Sequence, residues 1–222
     1  MPKAPGSQPV MDLERFRALP LLGIARGIDA ADVEPLAEAV IGAGLTCLEV
    51  TMNTAGAPAL ISALRDAAGD RLMIGAGTVL GLDALAAARA AGASFIVMPT
   101  LVPAVVERCV ADRVPVFPGA LTPQEIHAAW TAGATMVKVF PAGVFGPSYL
   151  REIKGPFTDI ELMAVGGVTA DNMADYFAGG AAAVAFGASV FRREWLSARA
   201  YDRIADEVRR LVTACTAARR RT

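Results

Sequence analysis

The chain has 222 residues, of which 54% are hydrophobic, 19% charged and 6% aromatic, with a formal net charge of -1. This is the composition of a globular protein with a large core, and it lacks the basic field that binding a phosphate backbone requires, so nucleic acid is excluded as the main partner. Three cysteines (Cys47, Cys109, Cys215), none in a CxxC pair, and a single histidine, His127, offer no metal-ligand set, and no run of about 18 apolar residues is present to span a membrane.

Residues 1–11 open with the polar, Pro- and Gly-containing stretch Met1–Pro9. It lacks the apolar core of a leader, so a loose tail, a cytoplasmic location and reduced cysteines are expected. Residues 12–222 are expected to form one domain. Short apolar runs recur at Leu19–Ala25, Thr46–Met52, Leu72–Ala76, Ser94–Pro99, Val114–Pro118, Thr135–Phe140, Ile160–Val165 and Ala182–Phe186. They are rich in Val, Ile, Leu and Met and bounded by Gly or Pro, as buried parallel strands are.

Between them, Ala31–Ala43, Ala57–Ala68, Leu82–Ala91, Pro103–Asp112, Pro123–Ala132 and Asn172–Ala178 have helical period. Gly44, Gly92, Gly133 and Gly179 each follow an alanine at a helix end, where the left-handed conformation stops a helix without strain. Asp29 and Thr122 sit where N-caps belong, and Thr122-Pro123-Gln124-Glu125 reads as a capping box. His127 falls on that helix, where a surface position fits it better than a catalytic one. The last segment aligns Tyr201, Ile204, Val208, Leu211, Val212 and Cys215 on one face of an amphipathic helix. Arg219-Arg220-Arg221 suits its C-terminal end.

Eight strand–helix alternations in about 200 residues predict a single-domain (β/α)8 barrel of the TIM type. A doubly wound open sheet would need a Gly-rich fingerprint after the first strand, and Gly23-Ile24-Ala25-Arg26-Gly27 is not one.

In such a barrel, charges inside apolar strands point to the site. Alternation puts Leu48, Val50 and Met52 on one face of the second strand and Cys47, Glu49, Thr51 and Asn53 on the other, so Glu49 is expected to face the interior. Likewise Met136, Lys138 and Phe140 share a face, with Val137 and Val139 toward the helices. A desolvated lysine has a depressed pKa and a larger share of nucleophilic amine, able to form an imine with a ketone. Glu49 could then move protons. The bland reading is a structural Lys138–Glu49 ion pair, which would add little net stability.

Gly166-Gly167 follows the seventh strand and Gly187-Ala188-Ser189 the eighth, where barrels hold phosphate on backbone N–H groups. Arg26 ends the first strand and could grip a carboxylate. On the residues alone, a sugar-phosphate isomerase or epimerase using Glu49 as base, or a non-catalytic sugar-phosphate binder, stand as alternatives.

The motifs Leu48-Glu49-Val50-Thr51, Ile74-Gly75-Ala76-Gly77-Thr78-Val79, Val137-Lys138-Val139-Phe140-Pro141-Ala142 and Val165-Gly166-Gly167-Val168 come in an order that resembles the 2-keto-3-deoxy-6-phosphogluconate / 6-phosphogalactonate aldolase family, from about Leu19 to Phe191. The resemblance implies a homotrimeric class I aldolase releasing pyruvate and D-glyceraldehyde 3-phosphate, with no cofactor and no metal, because the imine is the electron sink. It further implies Lys138 as imine former and Glu49 as acid/base. Thr78, Arg26 and Phe140 would lie at the pyruvate end, and Gly166, Gly167, Gly187 and Ser189 at the phosphate end.

Asn53 and Val165 stand where gluconate-type members carry Arg and Thr, and match the galactonate type. So do Arg26-Gly27-Ile28 and Phe145-Gly146-Pro147. The galactonate epimer is therefore the expected substrate, with tolerance of both epimers left open, since an apolar contact discriminates a hydroxyl weakly. Thr54-Ala55-Gly56 departs from the Ser-Pro that often follows Asn53 in that type.

Overall fold

A computed structural model describes residues 8–220. The expected tail at 1–11 therefore falls largely outside the described residues, as does Arg221. Within them, Pro9 O accepts from Arg89 Nη1 at 2.8 Å and Met11 N donates to Ser94 O at 3.0 Å, so the chain is already tied down where it enters.

The strands are β1 (Leu21–Ala25), β2 (Cys47–Thr51), β3 (Met73–Gly77), β4 (Ile96–Val97), β5 (Val116–Phe117), β6 (Gly119–Ala120), β7 (Val137–Val139), β8 (Leu162–Val165) and β9 (Ala181–Phe186). All neighbouring pairs are parallel, in the order β5-β4-β3-β2-β1-β9-β8-β7-β6. β5 and β6 are two parts of one barrel strand. Pro118, which has no N–H to give the ladder, separates a half paired to β4 from a half paired to β7, and the ring closes through it. Eight strands thus form the expected (β/α)8 barrel.

The helices are α1 (Leu13–Ala18), α2 (Val33–Gly42), α3 (Ala57–Ala68), α4 (Leu82–Ala90), α5 (Pro103–Ala111), α6 (Pro123–Thr131), α7 (Gly146–Lys154), α8 (Met173–Ala178), α9 (Arg193–Ser197) and α10 (Tyr201–Arg219). None among the described residues is long and apolar enough to cross a membrane. Thr122 and Glu125 form the expected capping box at α6, with Thr122 N donating to Glu125 Oε2 at 2.8 Å. Gly44, Gly92 and Gly133 are left-handed as expected. After α8 the left-handed residue is Gly180 rather than Gly179, which caps the helix at φ -78.

Two layers of apolar side chains meet at the strands. The outer layer joins the strands' helix-facing residues, such as Leu48, Val50, Val137 and Val139, to the helices. α10 packs its Ile204, Val208, Leu211 and Cys215 there, against α2 and α8. The inner layer includes Leu22, Cys47, Met73, Phe95, Met136 and Met163. Gly75 permits it: a Cβ there would sit 2.3 Å from the Phe95 ring.

α1 precedes the first strand and has no place in the strand–helix alternation. Its Phe16 is buried in the inner layer, with its ring 6.1 Å from that of Phe117. Burying such a side chain contributes roughly 2–3 kcal/mol. α1 thereby plugs the end of the barrel opposite the strands' C-termini.

Candidate active site

The inner face changes character toward the C-terminal ends of the strands. In β2, Cys47 belongs to the apolar layer, and Glu49 and Thr51 follow it at the same two-residue step. At β7, Met136 just before the strand is apolar and Lys138 comes next. Alternation alone sets this order, and each charge is carried inward by a strand whose other face is committed to the helices. Glu49 is 1% exposed and Lys138 6%.

Both groups are shifted toward their neutral forms. Burial pushes the Glu49 carboxyl up to about 7, opposed by the positive charges of Lys138 and Arg26. Burial also lowers the Lys138 ammonium, opposed by Glu49 and reinforced by Arg26. The pair is not a closed salt bridge. Neither residue appears in any ion pair among the described residues, and Glu49 Oε2 is buried without a hydrogen-bond partner. An unpaired buried acceptor carries the full desolvation cost, which sets this arrangement apart from the structural ion pair weighed above.

Arg26 follows β1 directly and is exposed, yet its charge reaches both Glu49 and Lys138. Phe140, 41% exposed at the rim, places its ring centroid 5.3 Å from Lys138 Nζ. Thr78 follows β3 with φ 57. A β-branched residue there is a true outlier, held only where its surroundings impose it. Val165 faces the interior, one inward-facing step beyond Met163, the cross-strand neighbour of Lys138. Asn53 lies exposed on the turn after β2.

Gly166 and Gly167 are consecutive left-handed residues, φ 94 and 77. Their carbonyls are engaged by Gly143 N at 2.9 Å and Asn172 Nδ2 at 2.8 Å. Gly187 O accepts from Val190 N and Phe191 N, both at 2.9 Å, and starts a short helical turn that includes Ser189. Among the described residues, no backbone carbonyl outside the strand ladder accepts from the N–H groups of Gly167, Ala188 or Ser189. His127 is exposed on α6 with its ring 5.6 Å from that of Phe157, away from the interior.

Two features were not singled out from the sequence. Gly77 faces Glu49, and a Cβ there would lie 2.1 Å from Glu49 Oε1. The Gly-x-Gly of Gly75-Ala76-Gly77, beside a strand carrying an inward carboxylate, was the available signal. The hydroxyls of Thr51 and Thr54 also lie 3.1 Å apart at the mouth, and alternation had marked Thr51 as inward-facing without giving it a task.

Comparison with known proteins agrees with this geometry. A model of the KDPG and KHG aldolase family matches residues 13–207. The 2-dehydro-3-deoxy-6-phosphogalactonate aldolase of Escherichia coli is 38% identical over 175 residues, 78% of this chain and 85% of that protein. The 2-dehydro-3-deoxy-phosphogluconate aldolase of Pseudomonas aeruginosa is 41% identical over 165 residues, 73% of this chain and 72% of that protein. Among solved structures, a native KDPGal structure superposes with a TM-score of 0.85 at 35% identity, covering 91% of this chain and 97% of that one. The KDPG aldolase of Legionella pneumophila, with pyruvate captured as a covalent carbinolamine, superposes with a TM-score of 0.80 at 27% identity over 91% and 95% of the two chains.

Proposed function

We infer the activity from one premise: the chain belongs to the KDPG and KHG aldolase family. It is a carbon–carbon lyase, a class I aldolase. We assign it the cleavage of 2-dehydro-3-deoxy-6-phosphogalactonate to pyruvate and D-glyceraldehyde 3-phosphate, with the gluconate epimer as a second substrate. The observation that carries the reading is the buried Lys138–Glu49 couple, shifted toward neutrality and not closed into an ion pair.

The neutral Lys138 amine attacks the C2 ketone and, with uptake of a proton and loss of water, forms a protonated imine; hydrolysis later returns that proton. Glu49 takes the proton of the C4 hydroxyl. The C3–C4 bond breaks, C4 leaves as the aldehyde of glyceraldehyde 3-phosphate, and the bonding pair flows into the imine to give an enamine. Protonation at C3 and hydrolysis release pyruvate and restore the amine. A carboxyl with a pKa near 7 can accept and return a proton close to neutral pH.

Arg26 and Thr78 hold the carboxylate end, with Phe140 covering it. The N–H groups of Gly166, Gly167 and Ser189, with Gly187 shaping the turn, receive the phosphate. Asn53 and Val165 face the middle of the sugar chain and favour the galactonate configuration. The working form is a cytoplasmic homotrimer, which light scattering on the purified protein tests.

Borohydride reduction in the presence of pyruvate, followed by peptide mapping, should place the added mass on Lys138. A label on another lysine, or none, would defeat the mechanism. Pyruvate release from the two epimeric substrates, coupled to lactate dehydrogenase, measures the preference.

A further inference from the structure

Arg26 has a notable lack of support. Among the described residues, no hydrogen bond or ion pair takes its guanidinium, although its charge reaches both Glu49 and Lys138. Its placement is therefore set by its backbone. The next residue, Gly27, has φ +69, a bend that disfavours a side chain. The N–H of Gly27 donates to Thr54 Oγ1 at 3.1 Å.

Thr54 belongs to a different loop, the turn after β2, and is 6% exposed. Its hydroxyl is also 3.1 Å from that of Thr51, which is inward-facing two residues beyond Glu49. Its backbone is pinned as well: Thr54 N donates to Thr51 O at 2.8 Å, and Thr54 O accepts from Ala57 N at 3.1 Å, at the start of α3. One buried hydroxyl thus joins the bend that carries Arg26 to the strand that carries Glu49.

We propose that Thr54 is a positioning residue for Arg26: by tying Gly27 N–H to the β2 turn it fixes where the substrate carboxylate is held. This rests on the reading of Arg26 as the carboxylate-binding residue. Thr54→Val keeps the shape and removes the hydroxyl, leaving the part-buried Gly27 N–H and the buried Thr51 hydroxyl short of a partner. The bend then relaxes and Arg26 loses its fixed address, while Lys138 sits on a strand across the barrel.

The test is borohydride trapping of pyruvate on the intact protein, read as half-saturating pyruvate concentration and as extent at saturation. Thr54→Val should raise the half-saturating concentration about tenfold and leave trapping at saturation within about twofold. Thr54→Ser should restore it. A merely structural role would lower the melting temperature and the trappable fraction without moving half-saturation, and that result overturns the proposal. Arg26→Gln should itself raise half-saturation, and adding Thr54→Val to it should change nothing more. A full Thr54 effect in the Arg26→Gln background overturns the proposal. If Arg26→Gln shifts saturation and Thr54→Val does not, the proposal fails and the carboxylate reading stands. If Arg26→Gln shifts nothing, both fail. Should Thr54→Val not fold, Thr54→Ala carries the same comparison.

Discussion

Gly77 and Glu49 occupy one volume between them: a Cβ on the glycine would come within 2.1 Å of Glu49 Oε1. The third strand gives up a side chain so that the second can carry a carboxylate. Gly77→Ala should therefore act on the carboxylate before it acts on the fold. We expect a stability loss of about 1–3 kcal/mol from overpacking, measured by denaturant unfolding. A turnover defect exceeding that of an alanine at Gly81, where a Cβ meets open space, should accompany it.

Lys138→Arg keeps a cation there and removes the amine proposed to form the imine. Turnover should fall by on the order of a thousandfold or more, and borohydride trapping should vanish while the melting curve changes little. Substantial residual turnover would point back to an electrostatic lysine and an isomerase-like use of Glu49.

The carboxyl of Glu49 stands at about 7 rather than 4.5 because burial penalises its charge. In its proposed role as base for C4 hydroxyl deprotonation it would work when ionised, so kcat/KM should rise with pH through about 7. Glu49→Gln should lose that limb along with roughly a hundredfold or more in rate. Stability has the opposite sign. The folded chain holds this proton more tightly than the unfolded one, which favours folding below pH 4.5, and the advantage is lost as pH rises through about 7. Glu49→Gln should therefore gain on the wild type between pH 5 and pH 8, by up to about 3 kcal/mol, in parallel melts.

Thr78, at φ 57, holds a conformation that costs a β-branched residue about 1–2 kcal/mol. Thr78→Gly should relieve it, for a net gain of about 1 kcal/mol after the glycine's own entropy cost. The same change should raise half-saturating pyruvate. A variant that is both more stable and unimpaired would remove Thr78 from the site.

Val165 faces the interior beside the lysine strand. Val165→Thr adds a hydroxyl there and should move the ratio of kcat/KM for the two epimers toward the gluconate form by about three- to tenfold. An unchanged ratio would mean that Val165 does not meet C4.

The barrel was legible in the sequence because each strand commits one face to the helices. Val137 and Val139 leave Lys138 no other direction, and Leu48 and Val50 do the same for Glu49. The fifth strand was legible only as far as Pro118, since Gly119-Ala120 has no apolar signature and its pairing to β7 is a backbone matter. α1 escaped because six residues carrying one buried Phe16 show no periodicity. α7 likewise begins in a Gly-Pro pair that reads as a turn, although Pro147 at its first turn is a regular helix start. In the site, side-chain type found the charged groups, whereas the Gly77 vacancy and the Thr54 tie are relations between segments separate in sequence.

Among the described residues, the plug formed by α1 closes one end of the barrel and leaves the rim at the strands' C-termini as its open end. With Phe16 packed into the end opposite the site, substrate and products are expected to pass by the rim where Phe140 and the glycine loops stand. The two products then cannot depart independently. On the proposed mechanism the aldehyde half is free once C3–C4 breaks, whereas the pyruvate half is still bonded to Lys138. On that mechanism release should be ordered, aldehyde phosphate first and pyruvate last, so pyruvate should inhibit competitively against the cleavage substrate while glyceraldehyde 3-phosphate should not.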